Sequence, residues 1–209
     1  VHIAAHIREI AGITDDPVHL DWVKPDLDAI RKDFPVLNDT AGKRMQAEIA
    51  KAKADGDSVG GIVECIVTGL PVGLGEPMFD GAEGVISKVV FGIPAVKGIE
   101  FGSGFSGSAM RGSENNDPFY YDDNGNVKTA TNNHGGILGG ITSGMPLYFS
   151  VAIKPTPSIA KTQQSISFSN KENTELNVKG RHDPCIVARA VPCVISAAAL
   201  AVYDMVKKG

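Results

Sequence analysis

The sequence predicts a fold that combines α-helices with β-strands, as three segments show. Residues 58–68 (SVGGIVECIVT) carry β-branched side chains at a mostly two-residue period, which is typical of a strand. Residues 41–54 (AGKRMQAEIAKAKA) place apolar side chains on one helical face and charged ones on the other. Residues 192–208 are rich in Ala, Val, Ile and Leu and end in two lysines, which favours a buried helix.

The first half of the chain alternates between the two kinds of element. Strands are predicted over residues 1–7, 58–68 and 99–101, and helices over residues 41–54 and 81–91. For the first helix we expect Asp39 or Thr40 to be the N-cap. Residues 12–35 are interrupted by Asp-Asp-Pro and Lys-Pro-Asp, which predicts a loop with one helical turn.

The second half predicts a strand, two hairpins and the final helix. The strand covers residues 145–153, and residues 163–168 are expected to pair with residues 175–179. The polar segment 111–131 contains Asn124-Gly125, which indicates the tip of another hairpin. Asp183 is expected to cap a helix with Pro184 at its first position, and Pro192 to begin the last helix.

Composition is that of a soluble globular protein. The 209 residues are 43% hydrophobic and 21% charged, enough for one large domain or two small ones. The net charge of -4 argues against a general nucleic-acid surface. No signal peptide or membrane span is expected, since the most apolar run, residues 188–206, contains charges and a proline. We therefore expect a cytoplasmic protein that binds neither nucleic acid nor membrane.

The cysteines and acidic residues do not predict a metal site. Cys65, Cys185 and Cys193 lack zinc-ligand spacing, and we interpret them as buried free thiols in a reducing compartment. The aspartates of residues 117–126 lack the ligand spacing and terminal glutamate of a calcium-binding EF-hand loop. No metal ligand is therefore assigned.

Three features indicate a site for an anion or a cofactor. The loop of residues 132–144 has five glycines, whose backbone admits positive φ and close approach by a flat ligand. Lys154 and Ser158 then place a cation and a hydroxyl in a proline-fixed turn. The third feature is Arg181-His182-Asp183. Each feature alone has an ordinary structural explanation, and no phosphate-loop or dinucleotide fingerprint is present.

In chain order these features form a specific combination. The segments are GDSVGGIVE at 56–64, GLPVGLGEPMFD at 69–80, PAVKGIEFGSGF at 94–105, RGSENND at 111–117, NNHGGILGGITSGMP at 132–146, KPTPSI at 154–159, GRHDPC at 180–185 and RAVP at 189–192. Together they resemble chorismate synthase over nearly the whole chain.

The resemblance implies a fold, a reaction and a place in metabolism. The fold is an α+β sandwich of antiparallel β-sheets with a helical layer, of which residues 1–209 form the carboxy-terminal portion of a single domain. The reaction is a reduced-FMN-dependent elimination of phosphate from 5-enolpyruvylshikimate 3-phosphate to give chorismate, in the shikimate pathway of aromatic amino acid biosynthesis. The family assembles as homotetramers, and NADPH is needed only where the enzyme reduces its own flavin.

The resemblance also implies roles for individual residues. Flavin contacts fall on Pro94, Ala95, Gly139, Lys154, Pro155, Thr156, Pro157, Ser158 and Arg181. Lys154 and Arg181 suit the phosphate charge, and Gly139 admits the ring or its chain. Asp183 is the implied catalytic residue, because the matching aspartate assists proton movement near the flavin. We assign no acid or base role to His134 or His182.

Two departures from the family pattern limit which residue roles can be transferred to this chain. Pro94 stands where the family commonly has Asn, which leaves a backbone contact rather than a side-chain contact there. The family's amino-terminal half, with its two catalytic histidines, has no counterpart here, and we expect a segment upstream of Val1 and no turnover by this chain alone. The alternative is a non-catalytic flavin-binding, anion-binding or interaction module that retains the scaffold.

Overall fold

The computed structural model describes residues 1–18 and 33–208 of the chain. Its main feature is a five-stranded antiparallel sheet. The strands of this sheet are β1 (His2–Ile10), β2 (Ile13–Thr14), β3 (Gly61–Thr68), β4 (Val96–Phe101) and β9 (Leu147–Ile153). They lie side by side in the order β2-β1-β3-β9-β4. The antiparallel sheet together with helices confirms the predicted α+β class.

Within residues 1–18 and 33–208, four α-helices accompany the sheet. They are α1 (Asp39–Ala54), α2 (Ala82–Val90), the single-turn α3 (Gly112–Asn115) and α4 (Val187–Lys208). Helix α4 packs against α2 and against strands β1 and β3. Apolar side chains from this side of the sheet, such as Val63, Val67 and Phe149, form the core with both helices. The core therefore lies on one face of the sheet, and the opposite face, here called the outer face, carries a row of polar side chains beside apolar ones such as Ile66.

In the described part of the chain, three two-stranded hairpins lie outside the main sheet. They are β5 (Phe119–Tyr121) with β6 (Val127–Thr129), β7 (Ile137–Leu138) with β8 (Ile141–Thr142), and β10 (Gln163–Ser167) with β11 (Glu172–Leu176). Short 3-10 helices cover Met78–Asp80 and Gly104–Ala109. The Asn124-Gly125 hairpin tip is confirmed, with Gly125 at φ 78°.

Cross-strand register places a polar row on the outer face. His6 of β1 pairs with Glu64 of β3, which pairs with Ser150 of β9. Ser150 pairs in turn with Glu100 of β4. Because successive strand residues point to opposite faces, the neighbouring Cys65 and Phe149 point into the core. This row determines what the outer face can bind.

Several predicted boundaries and caps are wrong. Asn38, rather than Asp39 or Thr40, caps α1, because its side chain accepts the N–H groups of Thr40 and Ala41. The hairpin partner of β10 lies at Glu172–Leu176 rather than residues 175–179, since the chain reverses at Lys171, which has φ 55°.

The last helix begins earlier than predicted. It starts at Val187, and Pro192 lies inside it. Burial of Val187 and Val191 against the core outweighs the missing proline N–H, which costs a helix one hydrogen bond. Asp183 does not cap this helix; its carboxylate accepts the N–H of Cys185 in a turn before it.

The cysteine prediction is correct for pairing but partly wrong for burial. All three thiols are free; Cys65 is buried, Cys185 is half-buried and Cys193 is exposed on α4.

The helical turn predicted within residues 12–35 falls mostly outside the described residues. The described part of this segment includes the short strand β2.

Helix α4 is long and apolar enough to satisfy a membrane-span test by length and composition. Its most apolar window has a mean hydropathy of 1.5, and 44% of that window is buried within the protein. The core helix of a soluble protein satisfies the same test, so this property is weak evidence for a membrane. Its packing on β1 and β3 is the contact that the structure shows.

Candidate functional site

Three of the predicted segments meet at one end of the main sheet. The Lys154 N–H donates to the Ala95 carbonyl at 3.0 Å. The Ser58 hydroxyl donates to the Thr156 carbonyl at 2.6 Å, and the Val59 N–H donates to the Pro184 carbonyl at 2.8 Å. Residues 58–60 thus hold the turn 154–158 on one side and the segment 180–185 on the other. We call this group of segments the turn cluster.

Ala95 has an unusual backbone within the turn cluster. Its φ is 72°, in the left-handed region that non-glycine residues rarely adopt. This conformation carries the chain from the end of α2 into β4. The Ala95 carbonyl accepts the Lys154 N–H. Backbone strain of this kind often marks a functional position, and here it coincides with a residue that the family resemblance implies in flavin binding.

The turn 154–158 exposes most of its side chains and buries one polar atom. Lys154, Pro155, Pro157 and Ser158 are exposed, whereas Thr156 is half-buried. The Thr156 Oγ1 is buried and has no hydrogen-bond partner within the described residues. Buried hydroxyls are normally hydrogen-bonded, so this atom can form a further hydrogen bond.

A glycine allows the turn to lie against β3. A Cβ on Gly60 would stand 2.4 Å from the Ile153 carbonyl oxygen and 2.9 Å from the Pro155 Cδ. Since both neighbours are rigid, a larger residue would displace the turn. The position of Lys154 therefore depends on a glycine that precedes it by almost a hundred residues.

His182 links the turn to the following segment. Its Nε2 donates to the Val178 carbonyl at 2.9 Å, which leaves Nδ1 to accept the Ser158 hydroxyl at 3.3 Å. Asp183 contacts the Arg189 guanidinium through Oδ2, while Oδ1 accepts the Cys185 N–H at 3.2 Å. The Asp183 carboxylate is thus held in a fixed orientation from two sides.

The turn cluster carries two cations without acidic partners. Lys154 and Arg181 are exposed, and neither forms an ion pair within residues 1–18 and 33–208. Asp183, in contrast, is already paired with Arg189. This charge distribution suits an anionic group such as a phosphate.

Gly139 is the one predicted contact that the structure does not bring to the turn cluster. It lies at the tip of the β7–β8 hairpin with φ 60° and open space beside its Cα. The adjacent Gly140 carbonyl accepts the Ala82 N–H at the start of α2, whereas Ala95 follows the end of that helix. Nine helical residues span about 13 Å, which separates the two places.

The outer face holds a buried charge network that sequence reasoning missed. The His6 Nδ1 lies 3.1 Å from an Asp15 carboxylate oxygen, and its Nε2 lies 3.1 Å from a Glu64 carboxylate oxygen. A neutral imidazole has only one N–H, so two carboxylate contacts require the doubly protonated ring. The side chain of His6 is 2% exposed. Alternation along β1 and β3 could have placed each of His6 and Glu64 on one face of its strand. No pattern in the sequence, however, indicated that these two residues face each other or that Asp15 joins them.

The pKa shifts agree with an ion triad. Burial lowers the pKa of His6, but hydrogen bonds with Asp15 and Glu64 outweigh burial and raise it overall. Burial raises the pKa values of Asp15 and Glu64, but their hydrogen bonds to His6 and to backbone N–H groups lower both overall. Those N–H groups belong to Leu37 and Asn38 for Asp15, and to Val18 for Glu64.

A pocket of about 530 Å³ adjoins this network on the outer face. Its walls include Arg8, Glu64, Glu100, Tyr148 and Ser150. None of the nine predicted flavin contacts lines it, and neither does Asp183. The predicted site is instead an exposed surface. Within the described residues, no group of three or more His, Cys, Asp and Glu side chains is placed to hold a metal ion.

Comparisons with known proteins agree on one family. The chorismate synthase family profile matches residues 1–206. A chorismate synthase of Dehalococcoides mccartyi is 47% identical over 206 residues, covering 98% of this chain and 56% of that protein. One of Korarchaeum cryptofilum is 47% identical over 210 residues, covering 100% of this chain and 57% of that protein.

A solved structure gives the same result for the fold. It is described as a crystal structure of chorismate synthase, and it matches with a TM-score of 0.74 at 22% identity, over 97% of this chain and 56% of that one. The chain thus spans a little over half the length of these relatives. From the profile match over residues 1–206 and the identity to these relatives, the chain belongs to the chorismate synthase family.

Proposed function

We propose that this chain is part of a chorismate synthase, a lyase that eliminates phosphate from 5-enolpyruvylshikimate 3-phosphate with the help of reduced FMN. The observation that supports this most directly is the family match across residues 1–206, with relatives of that name at 47% identity. The substrate is then a small phosphorylated molecule of the shikimate pathway. No finding favours the alternative of a non-catalytic module.

The turn cluster fits one side of a flavin site. Lys154 and Arg181 are the unpaired cations that would bind the phosphate group of FMN. The Thr156 Oγ1 is a buried hydroxyl that lacks a partner within the described residues. Pro155 and Pro157 restrict the backbone of the turn, which limits the entropy lost when a ligand binds. When bound, reduced FMN supplies the electron-rich ring that the elimination uses.

Other predicted residues would orient groups around the flavin. Ser158 donates to His182, so its hydroxyl oxygen retains lone pairs that can accept a further hydrogen bond. The strained turn at Pro94 and Ala95 would offer backbone groups rather than side chains. Gly139 would contact the ligand at a separate point, since it lies at the far end of α2 from Ala95.

Asp183 is proposed to move the proton that the reaction requires. Its carboxylate is fixed by the Cys185 N–H and by Arg189, and a fixed carboxylate is a suitable proton acceptor when substrate lies within hydrogen-bond distance. Arg189 would then be a positioning residue that acts through Asp183. Catalysis needs further groups from the rest of the protein, so we propose that this chain alone does not turn over.

The proposal extends to the whole enzyme. The full-length protein is proposed to be a cytoplasmic homotetramer, with NADPH required only if it reduces its own flavin. These properties follow from the family and not from contacts in this chain.

A flavin titration tests the site. Quenching of FMN fluorescence by the chain should give a Kd that rises about tenfold or more in Lys154→Ala and in Arg181→Ala, because a hydrogen bond to a charged group contributes roughly 1.5–3 kcal/mol. Lys43→Ala, an exposed lysine on α1, is the matched control and should leave the Kd unchanged. Equal affinity in all three variants would reject the assignment.

An activity assay tests the proposal about turnover. The chain should form no chorismate from 5-enolpyruvylshikimate 3-phosphate and reduced FMN, and activity should appear when the full-length protein is used. Chorismate formation by the chain at the rate of the full-length protein would contradict the proposed dependence on missing groups.

A further inference from the structure

Three residues outside the turn cluster form a continuous chain of hydrogen bonds. The Asp117 carboxylate contacts the His134 Nδ1, and the His134 Nε2 lies 2.8 Å from the Ser143 hydroxyl oxygen. Asp117 precedes β5, His134 precedes β7, and Ser143 directly follows β8. The side chains of Asp117 and His134 are 6% and 7% exposed, whereas Ser143 is half-buried.

The contacts of Asp117 define the state of the histidine. Burial would raise the pKa of Asp117, but hydrogen bonds from Thr131, His134 and Asn133 outweigh burial and lower it overall. An ionised carboxylate only accepts hydrogen bonds, so Nδ1 of His134 carries the proton. In the neutral ring with its proton on Nδ1, the lone pair of Nε2 faces the Ser143 hydroxyl, which donates to it. This is the arrangement in which a histidine removes a proton from a serine nucleophile.

The loop after Ser143 and the pocket beside His134 offer further parts of an acyl-transfer site. The Met145 N–H points to the Ser143 hydroxyl at 3.4 Å, and the Gly144 N–H makes no hydrogen bond within the described residues. The Gly144 N–H is a candidate to stabilise the oxyanion of the substrate, since the Met145 N–H is already directed at the serine oxygen itself. A pocket of about 400 Å³ lies against His134 and has Phe119 and Leu138 in its wall. Phe119 is 63% exposed and Leu138 43%, which leaves apolar surface for an acyl group.

We propose that Ser143, His134 and Asp117 form a nucleophilic triad that reacts with small carboxylic esters of apolar acyl groups. The Ser143 oxygen attacks the ester carbonyl while His134 takes the serine proton. The bond to the alcohol then breaks, and His134 gives that proton to the departing alkoxide. Water releases the acid from the acyl-serine with His134 again acting as base, so atoms and charge balance without oxidant or metal. None of the three residues belongs to the turn cluster, whereas Leu138 of the pocket wall directly precedes Gly139.

The chain contains its own contrast to this triad. Ser158 and His182 are also paired, but at 3.3 Å, and His182 is oriented by the Val178 carbonyl rather than by a carboxylate. A neutral carbonyl stabilises the imidazolium of the transition state less than a carboxylate does. Ser143 should therefore be the reactive serine of the two.

The test is covalent labelling with an alkyl fluorophosphonate. The serine oxygen forms a bond to phosphorus, the P–F bond breaks, fluoride leaves, and His134 takes the proton. Peptide mapping by mass spectrometry should find the label on Ser143, and Ser143→Ala should abolish it. His134→Gln and Asp117→Asn should each lower the labelling rate about 100-fold or more. The control is Ser108→Ala, which removes an exposed hydroxyl that donates to the Phe105 carbonyl, and it should keep the original rate.

Circular dichroism spectra of the variants separate loss of reactivity from loss of fold. The mapping on the unchanged chain does not depend on any variant, so it decides the proposal even if Ser143→Ala fails to fold. The triad would be overturned by an unlabelled chain or by a label on another residue. It would also be overturned if folded His134→Gln and Asp117→Asn were labelled as fast as the unchanged chain. The affinity of Ser143→Ala for FMN, measured by fluorescence quenching, shows whether the flavin site still binds when the serine is absent. The two proposals can therefore fail separately.

Discussion

Replacing His6 by Gln should strongly destabilise the chain at mildly acidic pH. His6 lies between Asp15 and Glu64, with a contact of 3.1 Å to each and with the three side chains 2%, 0% and 8% exposed. At an effective dielectric constant near 20, each contact has a gross Coulomb energy of about 5 kcal/mol, much of which desolvation offsets. Removing the shared cation leaves two buried carboxylates facing each other. The expected loss is about 3–5 kcal/mol.

The dependence on pH follows from the direction of each pKa shift. Folding raises the pKa of His6, so its contribution is complete below the ordinary value of 6.5 and is lost as pH rises through the folded value. Folding lowers the pKa values of Asp15 and Glu64, so their contributions are present above the ordinary values of 3.8 and 4.5 and are lost in acid. The network should therefore stabilise the fold most between about pH 5 and 6.5.

Guanidinium chloride unfolding followed by circular dichroism measures this difference at pH 6, 7.5 and 9. The gap in unfolding free energy between the original chain and His6→Gln should be largest at pH 6 and shrink as pH rises. His2→Gln is the matched control, because His2 lies on the same strand but is exposed, and it should change stability by less than about 0.5 kcal/mol. A loss below about 1 kcal/mol at pH 6, or a gap independent of pH, would refute the ion triad.

Two further predictions concern the glycine loop and the thiols. Gly136→Ala should cost about 2–5 kcal/mol, because the residue has φ 80° and a Cβ would stand 2.6 Å from the Pro146 oxygen; Gly139→Ala, with φ 60° and open space, should cost only about 1–2 kcal/mol. Urea unfolding measures the free energy of unfolding of both variants. An equal loss in the two would contradict the idea that the close backbone contact at Gly136 makes its substitution more costly. Iodoacetamide at pH 8 should modify exposed Cys193 fastest and spare Cys65 until the chain unfolds, since Cys65 is buried and burial raises its pKa. Mass spectrometry of timed samples follows both, and early alkylation of Cys65 would show that the core opens readily.

Local periodicity predicted most elements because each depends on neighbours in sequence. The pattern of β3 and the amphipathic spacing of α1 each indicate an element without knowledge of its partners. Ends were less predictable. Pro192 alone predicts the first turn of a helix. Helix α4 nevertheless starts at Val187, because Val187 and Val191 bury apolar area against the core. Tertiary burial there exceeds a local preference.

Some parts of the candidate site could likewise be predicted from the sequence, and others could not. Lys154 and Arg181 were found because a specific order of motifs can be read along the chain, and the structure places the segments that carry them around residues 58–60. Gly139 followed from the same motifs but lies beyond the far end of α2. The order of motifs does not encode distance, so only the fold could separate Gly139 from the turn cluster.

By itself, the sequence of this chain determined the family, the class of fold and the cations that suit an anionic cofactor, because motif order and periodicity are properties of the linear chain. Only the tertiary structure brought Asp15, His6 and Glu64 together, and likewise Asp117, His134 and Ser143. Each of these groups joins residues from separate strands or loops. Such proximity depends on strand register and loop packing, which long-range contacts decide.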